Sequence, residues 1–515
     1  MQGALAKLEK QNAQLRIENE SLRAQIASLQ HDLADMKGKL QHVLQQMFGK
    51  KTEQLDPRQL ELLLSGLKAQ ETPPLPTPVL RISTAARPRR GARKPRIPEN
   101  LPTEDIVIDP AEVTADPPAF KCIGEEITQE LDVVPPKYYR RRFIRRKYVL
   151  RAERSQPPVI APLPPRLITG GYASIGLVVD IAIQKFMDHL PLYRQEQIMK
   201  RYGIEISRKT MCDWMGQIAW WLKPIYQCVG AELRRCGYLQ VDETPVRYCR
   251  AEGGGSAQGY LWVYHRPGGS VLYEWHTGRG ADCLDNMLET FGGKMQTDGY
   301  VVYRSYATRR REQIAQGEGK KLIELAACWA HARRRFHEAL EESPGQASWV
   351  LRQIQHLYRI EEELRRQSAG PALRAAVRGA QSAMVLCRIE KALRLKLPAH
   401  RPTSQMGKAI GYTLSLWEQL LVYVADGRVE IDNNLVENAI RPTAIGKKNF
   451  LFFGDPEAGE RSAIIYTLLE NCKREGIDAR EYLKDVLSRR LTTSIDQLER
   501  LTPANWAAAK KAKVA

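Results

Sequence analysis

The 515-residue chain has no apolar run approaching the roughly 18 residues that a membrane-spanning helix needs, so it is not expected to cross a bilayer. Its opening text, Met1-Gln-Gly-Ala-Leu-Ala-Lys-Leu8, has no apolar core of the secretory kind. Cysteine is sparse and unpaired in sequence: Cys122, Cys212, Cys228, Cys236, Cys249, Cys283, Cys328, Cys387 and Cys472 form no C-x-x-C pair. That pattern signals neither a disulfide framework nor a cysteine-only zinc knuckle, and a reducing cytosol is the expected compartment. Acid is also short. Asp and Glu number 59 against 78 Lys and Arg, a net charge of +19. An excess of that size, clumped along the chain, favours a polyanion partner, most commonly nucleic acid. What is present is an ordinary globular composition, 43% hydrophobic and 27% charged, long enough for several domains.

The N-terminal text carries a heptad repeat. Leu8, Leu15, Leu22, Leu29, Met36 and Val43 make one seam; Leu5, Asn12, Asn19, Ile26, Leu33, Leu40 and Met47 make the other. Residues 1–50 therefore predict a coiled coil, and Asn at two a positions favours a parallel, in-register dimer. Residues 51–102 become Pro- and Arg-rich, an extended linker that includes Arg89, Arg90 and Arg93. Residues 103–156 predict a small basic β module of short strands (106–108, 126–134 and 143–150) containing Arg140, Arg141, Arg142, Arg145, Arg146 and Lys147. A second Pro-rich linker follows at 157–165. Residues 170–225 predict helices at 174–188 and 191–201, a break at Tyr202-Gly203, and a helix capped by Ser207. That is a helix-turn-helix, with Arg208 and Lys209 at the start of its recognition helix for double-stranded DNA.

From 232 the text turns to strands separated by Gly/Pro turns: Cys236–Asp242, Gly259–His265 and Val271–His276. A helix over Ala281–Phe291, a strand over Lys294–Asp298, a helical stretch and a strand over Leu322–Trp329 follow. The order β-β-β-α-β-α-β is that of the ribonuclease H-like fold. Asp is depleted in strands, yet Asp242 and Asp298 stand at strand ends that this topology makes neighbours. A third acid is expected from a later helix, and Glu430, Asp432 and Glu437 are the candidates. Asp432 reads as the N-cap of a helix ending at Pro442, which puts Glu437 in mid-helix with Asn433, Asn434 and Arg441 on its face. Three converging carboxylates repel unless cations lie between them, and two Mg²⁺ about 3.5–4 Å apart suit an in-line phosphoryl displacement. Cys328-x-x-His331 lacks a second half and is not read as a zinc site.

Four stretches resemble the transposases of the insertion sequence 66 family: Val241-Asp-Glu-Thr-Pro-Val246; Gln296-Thr-Asp-Gly-Tyr300; Cys328-Trp-Ala-His-Ala-Arg-Arg-Arg-Phe336; and Asp432-Asn-Asn-Leu-Val-Glu-Asn-Ala-Ile-Arg-Pro442 continuing through Ile445-Gly-Lys-Lys-Asn-Phe450. The resemblance covers nearly the whole chain. It implies a DDE transposase whose triad and metal ligands are Asp242, Asp298 and Glu437. Two Mg²⁺ would serve, or Mn²⁺ in their place. The catalytic domain would run over 232–455 with a helical insertion at about 340–425, followed by a helical region at 456–515. Family members commonly carry a zinc-binding Cys module after the linker. Here Cys122 stands alone, so the β module is expected to hold no zinc.

The expected architecture is thus multidomain, and the expected activity is cleavage at element ends with joining of the 3′-OH to target DNA. The alternatives are a decayed helix-turn-helix DNA-binding protein and a two-metal nuclease that does not join. His331, Asn434, Arg441, Lys447 and Lys448 are further expected phosphate or water contacts. Expected partners are double-stranded DNA, at least one further copy of the chain and accessory proteins of the same element, with no membrane. The expected location is the cytoplasm, at the nucleoid.

Overall fold

The computed structural model describes residues 138–148, 159–160, 166–168, 171–250, 254–490 and 492–514. The coiled coil, the first linker with Arg89, Arg90 and Arg93, the strands at 106–108 and 126–134, and Cys122 lie outside the described residues. The chain divides into two units at Arg142/Phe143. Of the first unit, residues 138–142 are described, and Arg140, Arg141 and Arg142 are exposed on irregular chain.

The second unit opens with β1 (Lys147–Tyr148) paired antiparallel to β2 (Val159–Ile160). Of the strand expected over 143–150, the described residues pair at Lys147–Tyr148, and the partner lies inside the stretch read as a linker. Arg145, Arg146 and Lys147 are exposed here.

Three helices follow. Helix α1 (Ile175–Phe186) is capped by Ser174, whose Oγ accepts from Leu177 N at 3.2 Å. After α2 (Leu192–Arg201) the chain reverses through Gly203 at φ 71°, a conformation that glycine adopts without strain. Helix α3 (Arg208–Arg234) starts on the expected cap, with Ser207 Oγ accepting from Thr210 N at 3.1 Å. A cap of this kind is worth about 1 kcal/mol. The helix does not stop near 225. It runs for 27 residues, through Pro224. Its buried stripe, Trp214, Ile218, Leu222, Ile225, Val229 and Leu233, continues at three- and four-residue spacing past the proline. Burying that stripe offsets one lost backbone hydrogen bond.

The sheet is mixed. Strands β3 (Tyr238–Cys249), β4 (Ser256–His265) and β5 (Val271–His276) form an antiparallel meander. Strands β6 (Gly293–Thr297) and β7 (Ile323–Ala327) add parallel to β3, giving the order β5-β4-β3-β6-β7. The expected helix over 281–291 is reduced to a 3-10 turn at Ala281–Leu284 and a single turn, α4 (Asp285–Leu288). Helix α5 (Val301–Ala315) connects β6 to β7, and α6 (Trp329–Glu338) follows β7. The exposed edge of β5 is closed by side chains rather than by another strand. Asn471 Oδ1 accepts from Val271 N and Thr467 Oγ1 from Tyr273 N, each at 3.0 Å.

Between β7 and Asp432 the chain is helical: after α6 come α7 (Pro344–Arg366), α8 (Pro371–Val377), a π-helical turn at Arg378–Ser382, α9 (Ala383–Lys396), α10 (Gln405–Ser415) and α11 (Trp417–Ala425). Their shared core holds Phe336, Ile354, Leu357, Leu386, Ile389 and Ile410. Trp329 joins this core to the sheet: its ring meets Trp417 edge-on at 5.9 Å, and Nε1 donates to Leu420 O at 3.0 Å. Helices α12 (Asn434–Phe450), α13 (Pro456–Glu475), α14 (Ala479–Arg490) and α15 (Pro503–Val514) complete the unit. Between α12 and α13, β8 (Phe452–Phe453) pairs with β3.

Candidate active site

Strand β3 has two parallel partners along one edge and a gap between them. It pairs with β6 at Tyr238–Gln240 and with β8 at Arg247–Tyr248. Pro245, which has no N–H to offer a ladder, falls in that gap. Asp242 falls there too, so it lies in mid-strand rather than at the strand end expected, because β4 continues to pair as far as Cys249. Helix α12 lies along the gap, bonded to it from its N-cap and from its last turn. Asn433 Nδ2 donates to Val241 O at 3.2 Å, and Lys447 Nζ to Thr244 Oγ1 at 2.8 Å and to Pro245 O at 2.9 Å.

A buried polar cluster holds the first turn of α12 in register. Gln240 Nε2 donates to Asp432 O at 2.8 Å and to Gln296 Oε1 at 2.9 Å, and Gln240 Oε1 accepts from Val436 N at 3.2 Å. Gln296 Nε2 donates to Glu430 O at 2.7 Å, and Tyr238 Oη to Gln296 Oε1 at 2.7 Å. Both glutamines are fully buried. Alternation along a strand puts Gln240 on the same face as Asp242, and Gln296 on the same face as Asp298. The glutamines thus carry the helix that bears Glu437 on the strands that bear the two aspartates. The helical span before it is tied in by a second buried cluster. Arg378, wholly buried, pairs with Glu361 at 2.7 Å and donates to the carbonyls of Tyr423 and Val429 at 2.7 and 2.9 Å.

Asp242, Asp298 and Glu437 are each partly exposed. Burial, and then the charges of Glu243, Asp298 and Glu437, push the Asp242 carboxyl up to about 8. Asp242 Oδ1 accepts from Glu243 N at 2.8 Å, and Asp298 Oδ1 from Tyr300 N at 2.8 Å. Gly299, at φ 87°, makes the turn after Asp298 and lies where a Cβ would come within 2.7 Å of Leu416. Glu437 Oε1 is buried with no hydrogen-bond partner, and His331 Nε2 stands 3.9 Å from it. Burial lowers the His331 pKa against the pull of Glu437 and Asp298, and its Nδ1 has no partner. Among the described residues no three His, Cys, Asp or Glu side chains are grouped tightly enough to enclose a metal ion as they stand. The donor set nonetheless fits a hard divalent cation. An all-carboxylate trio with mutual charge repulsion and an orphaned oxygen is what such an ion would satisfy.

Several expectations are corrected. Glu437 is in the first turn of α12, not mid-helix, and Asn433 rather than Asp432 is the N-cap. Asp432 still serves that end from one residue earlier, accepting from Asn434 N at 3.1 Å and Asn434 Nδ2 at 2.9 Å. Pro442 does not end the helix. The buried face Val436, Ala439, Thr443 and Gly446 runs through it to Phe450, again because packing outweighs one missing donor. Glu430, an alternative third acid, is taken by Arg374 at 2.8 and 2.9 Å. Glu243 points to the other face, buried against Arg279 and Tyr303.

Of the further expected contacts, Arg441 and Lys448 are exposed. Lys447 is spent on β3, and Asn434 donates to Asp432. In the helix-turn-helix, Lys209 is exposed, while Arg208 leans on Glu196 at 3.5 Å and over the Tyr193 ring. Cys328 is buried beneath Asn433 N, its thiol pushed up to about 12 by burial. Gln240, Gln296 and the Arg378–Glu361 pair were missed. A lone Gln inside Tyr-Leu-Gln-Val or Met-Gln-Thr was the available signal for the first two.

The span that holds the three acids matches known proteins. Residues 170–461 match the family model described as Transposase IS66 family. A match over more than half the chain places the molecule in the class of transposases. The chain belongs to the IS66 family. A second model, described as transposase C of IS166 homeodomain, matches residues 35–106, outside the described residues. Two relatives come from Sinorhizobium fredii (strain NBRC 101917 / NGR234). Uncharacterized protein y4jD is 33% identical over 96% of this chain and 98% of its own length. Uncharacterized protein y4qI is 36% identical over 79% of this chain and 75% of its own.

Proposed function

We propose that the protein is a DDE transposase: it binds the ends of its element, cuts DNA by metal-dependent hydrolysis and joins the freed 3′-OH to target DNA. The observation that carries this reading is that the charges of Asp298 and Glu437 both bear on Asp242, and both on His331, within the family-matched span. The strand order β5-β4-β3-β6-β7 is the ribonuclease H-like order, and it supports the same reading. Asp242, Asp298 and Glu437 would hold two Mg²⁺, which when bound activate the attacking oxygen and stabilise the leaving one. His331, neutral near pH 7 by virtue of its lowered pKa, can accept a hydrogen bond from water or from the incoming hydroxyl beside Glu437. Arg441 and Lys448, exposed on α12, would meet phosphates. Double-stranded DNA is the partner, met also by Lys209 and by the exposed run Arg140–Lys147.

The test is nicking of a labelled element end in Mg²⁺. Asp242→Ala, Asp298→Ala and Glu437→Ala should each abolish nicking and joining while DNA binding persists. Glu430→Ala and Asp432→Ala should keep measurable nicking. Nicking by Glu437→Ala, with loss in Glu430→Ala, would show that the third acid is misassigned.

A further inference from the structure

A cavity of about 750 Å³ opens between α6, α10 and the turn at residues 397–402. Its lining includes Arg335, Leu397, Pro398, His400, Lys408 and Tyr412. Tyr412 links it to the catalytic strand: its Oη donates to Asp298 O at 2.7 Å. The Arg335 guanidinium lies 5.4 Å from the Tyr412 ring centroid. Arg335 stands four residues, one helical turn, beyond His331, so the two share a face of α6. The charges of Arg334 and Arg335 both reach His331. Arg335 and Lys408 are exposed. Arg335 has one weak acidic neighbour, Glu338 at 3.8 Å.

A cavity with two exposed cations at its rim, an aromatic ring and proline on its wall, and a direct bond to the backbone of an active-site acid has the chemistry of a nucleotide subsite. Cations take phosphate, and the ring and apolar wall take sugar or base. We propose that this cavity is a subsite for the DNA strand next to the scissile phosphate, with Arg335 and Lys408 each contacting a phosphate and Tyr412 packing against the intervening nucleotide. The proposal rests on the DNA-cleaving reading above and adds where the helical span holds the strand.

The experiment measures binding of the full chain to a fluorescein-labelled duplex as a function of salt. The pair Arg335→Ala/Lys408→Ala is compared with Arg352→Ala/Arg388→Ala, which removes the same charge from exposed residues outside the cavity. Loss of two phosphate contacts should reduce the slope of log K against log salt by about 1.8, and the control pair should leave it unchanged. Tyr412→Phe, which keeps the ring, should bind with the slope of the unaltered chain. Replacing single phosphates beside the cleavage site by neutral methylphosphonates should weaken binding of the unaltered chain and leave the Arg335→Ala/Lys408→Ala pair unaffected. An unchanged slope in that pair, or equal reductions in both pairs, overturns the subsite while DNA binding stands. Failure of the unaltered chain to bind any duplex would take down the DNA reading itself, and this proposal with it.

Discussion

His265 shows how one buried side chain sets a pH limit on the fold. It is 1% exposed, and Arg474 Nη1 lies 2.7 Å from its Nε2, so the ring is neutral and accepts there. Burial first, then the charges of Arg474 and Arg266, bring its pKa down to about 3. The unfolded chain binds the proton near pH 6.5, as a free histidine does. Between those values the unfolded state holds a proton that the folded state does not. The stabilising effect of neutral His265 is therefore complete above about pH 6.5 and is lost as the pH falls towards 3. The urea midpoint should drop between pH 7 and pH 5, and His265→Gln should flatten that drop. An identical pH profile in the variant would show that some other group sets the limit.

Elements here are joined by buried polar bonds more than by loops. The turn that presents Glu437 reaches β3 and β6 through Gln240 and Gln296. Gln240→Ala would leave Asp432 O buried without its donor, at about 1–3 kcal/mol, while Val436 N keeps its bond to Asn433 O at 3.2 Å. Urea denaturation should register a loss of about 1–3 kcal/mol. Nicking measured well below the new midpoint should fall far more than DNA binding, because Glu437 is carried by the displaced turn. Equal losses of nicking and binding would mean that the glutamine merely supports the fold. The same logic explains why α3 and α12 outlast their prolines: each proline removes one donor, while the buried stripe on either side stays in register.

For the whole molecule the open question is how many chains act together. The heptads over residues 1–50 predict a parallel dimer, and two inverted element ends call for a two-fold protein. Light scattering of the full chain should give at least twice the chain mass. Deleting residues 1–48 should weaken pairing of two ends more than binding of one. A monomeric full-length protein would end this expectation. With a charge of +19, DNA affinity should fall steeply as salt rises, which binding isotherms at several ionic strengths would check.

Much of this protein was legible before any coordinates. The meander, the Ser207 cap and the order of strands and helices followed from Gly/Pro punctuation and capping chemistry, both of them local signals. Asp242 and Asp298 stood out because carboxylates in apolar strands lack a local reason to be there. Which later acid joins them was not local. Glu430, Asp432 and Glu437 lie within eight residues of one another, and one turn of helix decides which carboxylate faces β3 and which faces Arg374. That choice is made by Gln240, Gln296 and the gap between β6 and β8. The bonds of the two glutamines to the Glu430–Val436 stretch span 134 and 196 residues of sequence, which no local period encodes. The continuation of two helices through proline was decided in the same way. Tertiary burial outweighed a local preference worth about 3 kcal/mol.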